Sequence, residues 1–326
     1  MTEPAPERPQ ESLSLDSTAQ LLSRITAQLD TQLSLVSLNG TRRPMHRTRH
    51  QPAPAAANPR ISAAPAPALV AVAHGSRDPR ALHTVTRLLD RVRELRPGLD
   101  VRLGHIELNA PLLPETLETL AATGDGEAVL VPLLLGRGHH VKRDIPEAVA
   151  GAPALRTRTA APLGPHPLLA EALHARLAEA GWRPEDNGDR GSAVVLAAAG
   201  SRDPESAADT RRTARLLSER LGGVPVVPAY ASAATPTVPA ALRALAARGR
   251  RRVAVAAYFT APGRFASAAS EDAPWIAAAP LGAHPAMARL LLHRYDQARA
   301  AGHDRPRAGG VPAQETPMNT HFLASA

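Results

Sequence analysis

The chain repeats itself. VAVAHGSRDPRA at Val70–Ala81 matches VLAAAGSRDPES at Val195–Ser206, and APLLPETLETL at Ala110–Leu120 matches TPTVPAALRAL at Thr235–Leu245. APLGPHPLLAEAL at Ala161–Leu173 matches APLGAHPAMARLL at Ala279–Leu291. The offset is 125 residues in the first blocks and 118 in the last, so the second copy is slightly shorter. Both copies must therefore follow one order of elements. In the first, Leu69–Ala73 is an all-apolar run, and helical spacing follows at Leu82, Val85, Leu88, Leu89, Val92 and Leu95 until Pro97-Gly98 stops it. Val101–Leu108 and Ala128–Leu135 read as strands, Pro111–Ala122 as a helix with Pro in its first turn. Ile145–Val149 reads as a short helix, Thr157–Pro162 as a fourth strand and Leu168–Ala180 as a closing helix. Apolar strands alternating with helices predict an α/β fold of two tandem repeats, each a four-stranded parallel sheet flanked by helices. Right-handed crossovers then gather the carboxyl ends of the strands on one rim.

The rest of the chain reads as flanking material. Residues 1–68 are expected to be a disordered, low-complexity extension, with the Pro/Ala-rich QPAPAAANPRISAAPAPA as linker and a helix around Ser17–Leu38 that carries no chemistry. The repeats are placed at 69–181 and 193–300, separated by the polar Trp182–Ser192, and 301–326 is expected to be a flexible tail. Aromatic residues are 2% of the chain, so the core must be built from Ala, Val and Leu. There is no Cys among the 326 residues, which removes disulfides, iron–sulfur clusters, thiolate zinc sites and cysteine nucleophiles. No apolar run approaches the roughly 18–20 residues that span a bilayer. The first residues lack the pattern of a secretory signal, so a soluble cytoplasmic protein without a membrane partner is expected. The net charge of +8 sits mainly in residues 181–326, which carry 18 basic and 12 acidic side chains. No aromatic platform accompanies these arginines, so no nucleic-acid partner is expected.

In open parallel sheets ligands bind outside the carboxyl ends of the strands. His74 ends the first strand of the first copy, Glu107 ends the second, and His139 and His140 follow the third after Gly136-Arg137-Gly138. Imidazoles and a carboxylate form a mixed N/O set suited to a divalent first-row metal. The plainer reading is that His74 caps a turn and the paired histidines are solvated.

Three motifs, HGSRDP, IELNAPLLPE and VPLLLGRGHHVKRDIP, stand in this order after buried strands. Together they resemble the sirohydrochlorin chelatase family, the cobalt- and iron-inserting class II chelatases of sirohaem and cobalamin synthesis. The resemblance covers about residues 69–181 and extends more weakly to about residue 300. It implies a chelatase-like fold with the tetrapyrrole in a cleft between two halves, and chemistry without ATP. The chain agrees on the last point, having no GxxxxGK[ST] loop. By resemblance His74 is a metal ligand and proton acceptor, His140 the second ligand, and Glu107 a third ligand or part of a proton path. Leu135, Gly136, Arg137 and Gly138 match the loop lining the tetrapyrrole, with His139 as further lining. Arg137, Lys142, Arg143 and Arg264 are cations that can take the carboxylates of the substrate. Ala110 stands where family members often carry a second Glu.

The second copy separates scaffold from chemistry. Ala199 stands opposite His74, Ser232 opposite Glu107, and Arg264 is read as standing opposite His140, while GSRDP and PLGxHP persist. One metal site per chain follows, with the second half as the other wall. Ser76, Arg77 and Asp78 are expected to fix the strand–helix turn, and His166 and His284 to be structural. The expected function is ATP-independent insertion of ferrous iron into sirohydrochlorin for sirohaem. Cobalt insertion, or a non-catalytic metal or tetrapyrrole carrier, stands as the alternative. No tightly bound cofactor is expected, Fe2+ or Co2+ being a substrate. A histidine phosphatase is disfavoured, since no Arg precedes His74-Gly75. The sequence does not set the oligomeric state.

Overall fold

The computed structural model describes residues 66–123 and 126–301. The expected Ser17–Leu38 helix and nearly all of both flanking segments lie outside the described residues. The first repeat runs β1 (Ala68–Ala73), α1 (Pro79–Leu95), β2 (Val101–His105), α2 (Leu113–Thr123), β3 (Glu127–Pro132), α3 (His139–Lys142), α4 (Asp144–Ala150), β4 (Arg156–Thr159) and α5 (Pro167–Glu179). After a 3-10 turn at Pro184–Asn187, the second runs β5 (Ser192–Ala198), α6 (Pro204–Arg220), β6 (Val226–Tyr230), α7 (Val238–Ala247), β7 (Arg252–Tyr258), α8 (Arg264–Glu271), β8 (Ile276–Ala278) and α9 (Pro285–Ala301). Among the described residues no helix is long and apolar enough to cross a membrane.

Each repeat forms a parallel four-stranded sheet, ordered β2-β1-β3-β4 and β6-β5-β7-β8. This order matters for chemistry. The chain leaves β1 toward β2 on one side and returns to β3 on the other, so the crevice beyond β1 and β3 is a topological switch point. Strands β2 and β3 are shorter than the alternation of apolar residues predicts, ending at His105 and Pro132 rather than Leu108 and Leu135. The residues beyond them turn instead: the Asn109 amide donates to the Glu107 carbonyl at 2.8 Å, and Leu108 takes a left-handed φ of 67°.

The retained GSRDP blocks build the same turn twice. Gly75 and Gly200 have φ of 101° and 90°, and a Cβ on either would meet the carbonyl oxygen of Glu107 or Ser232 at 1.8 Å. Only glycine fits both demands. Asp78 then caps α1 by accepting from the Arg80 amide, and Asp203 caps α6 by accepting from the Glu205 amide. Ser76 and Ser201 hydroxyls accept from the Asp78 and Asp203 amides at 3.1 Å. His166 and His284 cap α5 and α9, their Nδ1 atoms accepting from the Leu168 and Ala286 amides at 3.1 Å.

The repeats expected at 69–181 and 193–300 each hold one sheet, yet they share a core. Helix α5 packs on β7 and β8 of the other repeat, and α9 packs on β3, β4 and α1 of the first. Arg176 of α5 donates to the Leu281 carbonyl, and its counterpart Arg294 of α9 donates to the Leu163 carbonyl. These reciprocal bonds relate the halves by an approximate two-fold axis. One apolar cluster runs through both repeats, from Leu69 and Leu89 to Leu196 and Leu291.

Candidate functional site

The carboxyl ends of three adjacent strands bring His74, Glu107 and His140 together. His74 leaves β1, and the Glu107 amide donates to the His74 carbonyl at 3.0 Å, which seats the carboxylate beside the imidazole. Ser76 ties the same loop down, its amide donating to Asn109 Oδ1 at 2.7 Å. His140 sits in the short helix α3, where the ring centroids of His74 and His140 are 4.5 Å apart at an interplanar angle of 89°.

Each imidazole has its Nδ1 engaged. His74 Nδ1 lies 3.2 Å from the Gly75 carbonyl and 3.6 Å from Glu107 Oε1. His140 Nδ1 bonds to the Asp144 carboxylate one helical turn on. A carbonyl only accepts, and an ionised carboxylate only accepts, so Nδ1 is the protonated nitrogen in both rings. The lone pair is then on Nε2 of each, which is the tautomer a metal-ligating imidazole needs. Asp144 Oδ1 also lies 3.6 Å from His139 Nε2.

Glu107 stands behind Nδ1 of His74, not on the Nε2 side. Among the described residues no three His, Asp or Glu side chains are arranged to hold one ion together. A pair of imidazoles leaves most of an ion's coordination sphere to water or an incoming ligand. Asp144 is the residue sequence reading missed; its spacing of four from His140 in HHVKRD is the signal that could have found it. His105 was missed as well. It is 2% exposed, its Nδ1 is bonded to the Pro111 carbonyl at 3.2 Å, and burial pushes its pKa down, so a neutral ring lies beneath the cleft.

The rings open onto a cleft of about 1210 Å³ lined by both repeats. Leu135, Gly136, Gly138 and His139 line it, and Arg264 and Phe265 face it from the second half. Arg137, Lys142 and Arg143 do not line it, which corrects their expected role as grips for substrate carboxylates. Arg137 is committed to Asp209 and Glu205 at 2.7 and 2.8 Å, and Lys142 to Asp203 and Glu205 at 2.6 Å each. The hydrogen bonds that the Lys142 ammonium donates to Asp203 and Glu205 hold its pKa above its ordinary value. Arg143 is exposed outside the cleft.

The sheets also revise one equivalence between the repeats. Val70 pairs with Leu130 and Val195 with Val255, an offset of 125 in both strands. Gly138 and Gly263 precede the matching helices α3 and α8. Phe265 therefore stands opposite His140, and Arg264 opposite His139. The second half still lacks all three candidate residues, with Ala199, Ser232 and Phe265 in their places. Arg264 lies over the Phe265 ring at 4.9 Å.

Comparison with known proteins agrees with this architecture. A family model described as CbiX matches residues 68–180 and 193–298. A sirohydrochlorin cobaltochelatase of Methanococcus aeolicus is 36% identical over 80 residues, 24% of this chain and 56% of that protein. A sirohydrochlorin ferrochelatase of Bacillus subtilis is 28% identical over 173 residues, 52% of this chain and 64% of that protein. The chain thus spans less than two thirds of the length of these relatives. Among solved structures, SirB from Bacillus subtilis with Fe3+ superposes with a TM-score of 0.59 at 22% identity, covering 73% of this chain and 98% of that one.

Proposed function

The chain belongs to the CbiX family, and from that premise we propose that it is a sirohydrochlorin chelatase, inserting a divalent metal into the tetrapyrrole without ATP. The observation that carries the reading is the His74–His140 pair, 4.5 Å apart at the switch point of one sheet, opening on a cleft walled by the other. Two imidazoles, with no third protein ligand beside them among the described residues, would hold a divalent ion loosely enough to release it to four pyrrole nitrogens. Insertion displaces two pyrrole protons, and the product keeps the metal. Glu107 is more than half exposed and 3.6 Å from His74, which suits the proton-accepting role of the two left open to it. Arg264, over Phe265 on the facing wall, is the cation placed to take a peripheral carboxylate.

Ferrous iron for sirohaem is the metal first expected. Cobalt is favoured by one observation, the cobaltochelatase name of a 36% identical relative, against the ferrochelatase name of a 28% identical one. Imidazole sites accept either ion. The test is anaerobic absorbance of the purified chain with sirohydrochlorin and each ion side by side. Metallation of many equivalents per chain is the expected result. A spectral shift that stops at one equivalent would make the protein a carrier, and no acceleration with either ion would overturn the reading.

A further inference from the structure

The second repeat lacks the candidate metal residues of the first, and at four positions it carries hydroxyls or carboxylates, in place of Leu, Arg or Thr, that point at the loop bearing His139 and His140. At the offset of 125 residues, Tyr258 and Thr260 stand where the first repeat has Leu133 and Leu135, and Glu205 and Asp209 where it has Arg80 and Thr84. All four reach the same segment. Thr260 Oγ1 donates to the Leu133 carbonyl at 2.9 Å, and Tyr258 OH donates to the Leu135 carbonyl at 2.9 Å. Asp209 accepts from the Arg137 amide at 3.1 Å, from Nε at 3.0 Å and from Nη2 at 2.7 Å. Glu205 takes Arg137 Nη1 and Lys142 Nζ. Residues 133, 135 and 137 lie along the segment that leads from β3, through a bend at Leu135-Gly136, to His139 and His140.

The grip is built, not incidental. The Asp209 side chain is 1% exposed, and the buried Tyr258 hydroxyl is also bonded to Thr213 at 3.1 Å. Gly164 leaves the passage through which it acts: a Cβ there would meet Leu135 O at 2.3 Å and Tyr258 OH at 2.4 Å.

We propose that the second repeat is a clamp for the metal loop, with Tyr258, Thr260 and Asp209 as positioning residues that set where His140 stands relative to His74. The inference rests on the chelatase reading for its metal. It explains why a half without ligands is kept as a packed partner: a backbone held at three alternate residues carries α3 to one place.

The test is titration of the full chain with Co2+ alone, followed by calorimetry and visible absorption, with insertion kinetics alongside. Tyr258→Phe and Thr260→Val each remove one hydroxyl at nearly constant volume. Each should weaken cobalt binding about tenfold, the scale of one lost hydrogen bond. Each should also shift the cobalt bands and lower kcat/KM by a similar factor. Thr260→Ser keeps the hydroxyl and should keep wild-type affinity. Ser218→Ala removes a comparable bond, to the Val224 carbonyl at 2.7 Å within the second half. It should lower the melting temperature similarly and leave cobalt binding alone. Wild-type affinity and bands in both Tyr258→Phe and Thr260→Val would overturn the clamp while leaving the chelatase reading intact. Failure of the wild-type chain to bind cobalt would overturn the metal site itself and the clamp with it.

Discussion

Asp144 fixes the ring of His140 from one helical turn away. The Asp144 carboxylate accepts a hydrogen bond from the His140 Nδ1–H, which leaves the lone pair on Nε2. Removing either imidazole should abolish insertion: His74→Ala and His140→Ala are expected to lose turnover with far-UV circular dichroism and melting temperature unchanged, since both side chains are partly exposed. Wild-type turnover in His140→Ala would overturn the site. Asp144→Asn tests the support instead. It is expected to weaken cobalt binding roughly 10–100-fold, the usual effect of losing the group that orients a ligating imidazole, read by the same cobalt titration. At this scale the sequence was half legible. His74, Glu107 and His140 could be named because strand ends and motifs mark them. Arg137 and Lys142 were visible as cations, but their partners lie 72 and 61 residues away on the other repeat, and no local pattern pairs them. A charge can be read in a sequence; what neutralises it belongs to the tertiary fold.

Elements were legible wherever a start or stop signal was local. Asp78-Pro79 and Asp203-Pro204 announce α1 and α6, and the structure confirms both caps. The carboxyl ends of β2 and β3 were overrun because Ile106, Leu108, Leu133 and Leu135 keep the apolar composition of a strand after the ladder has ended. The PLGxHP blocks hold a less common cap. His166 must keep a lone pair on Nδ1 to accept from the Leu168 amide. Burial, with the nearby Arg294 charge, holds its pKa below the usual 6.5, and burial does the same for His105, His174 and His284. A depressed imidazole pKa means that the unfolded chain takes up protons first as pH falls. Stability is then fully present above about pH 6.5 and declines below it toward the folded-state pKa values. Thermal unfolding should therefore show a falling melting temperature from pH 7.5 to pH 5. His166→Asn keeps a capping oxygen and should make that slope shallower. His166→Ala should lose about 0.5–2 kcal/mol of stability at pH 7.5, with activity per folded molecule preserved. A pH slope identical in His166→Asn and wild type would show that this cap does not titrate.

At the scale of the whole molecule, the repeat made the double sheet legible and hid how the sheets meet. Two copies in tandem suggest two bodies side by side. The structure instead crosses the closing helices, so α5 covers β7 and β8 while α9 covers β3 and β4. Nothing in the Leu and Ala pattern of α5 distinguishes its own sheet from its neighbour's, because both present the same apolar face. The crossing has a thermodynamic consequence. Leu169 of α5 and Leu290 of α9 are both fully buried in one cluster that includes residues of both sheets. Neither sheet can lose its partner's helix without exposing its own inner face, so the halves should unfold together. Leu169→Ala and Leu290→Ala are each expected to cost about 2–5 kcal/mol, and each should move a single transition to lower denaturant. Trp182 and Trp275, with ring centroids 5.5 Å apart and planes tilted by 47°, report the seam between the spacer and the second repeat by fluorescence, while far-UV circular dichroism reports all helices. Coincident curves from the two probes, in wild type and in both variants, are the expected result. A fluorescence transition separated from the dichroism transition, with Leu169→Ala moving only one of them, would mean that each repeat is stable without the other's helix.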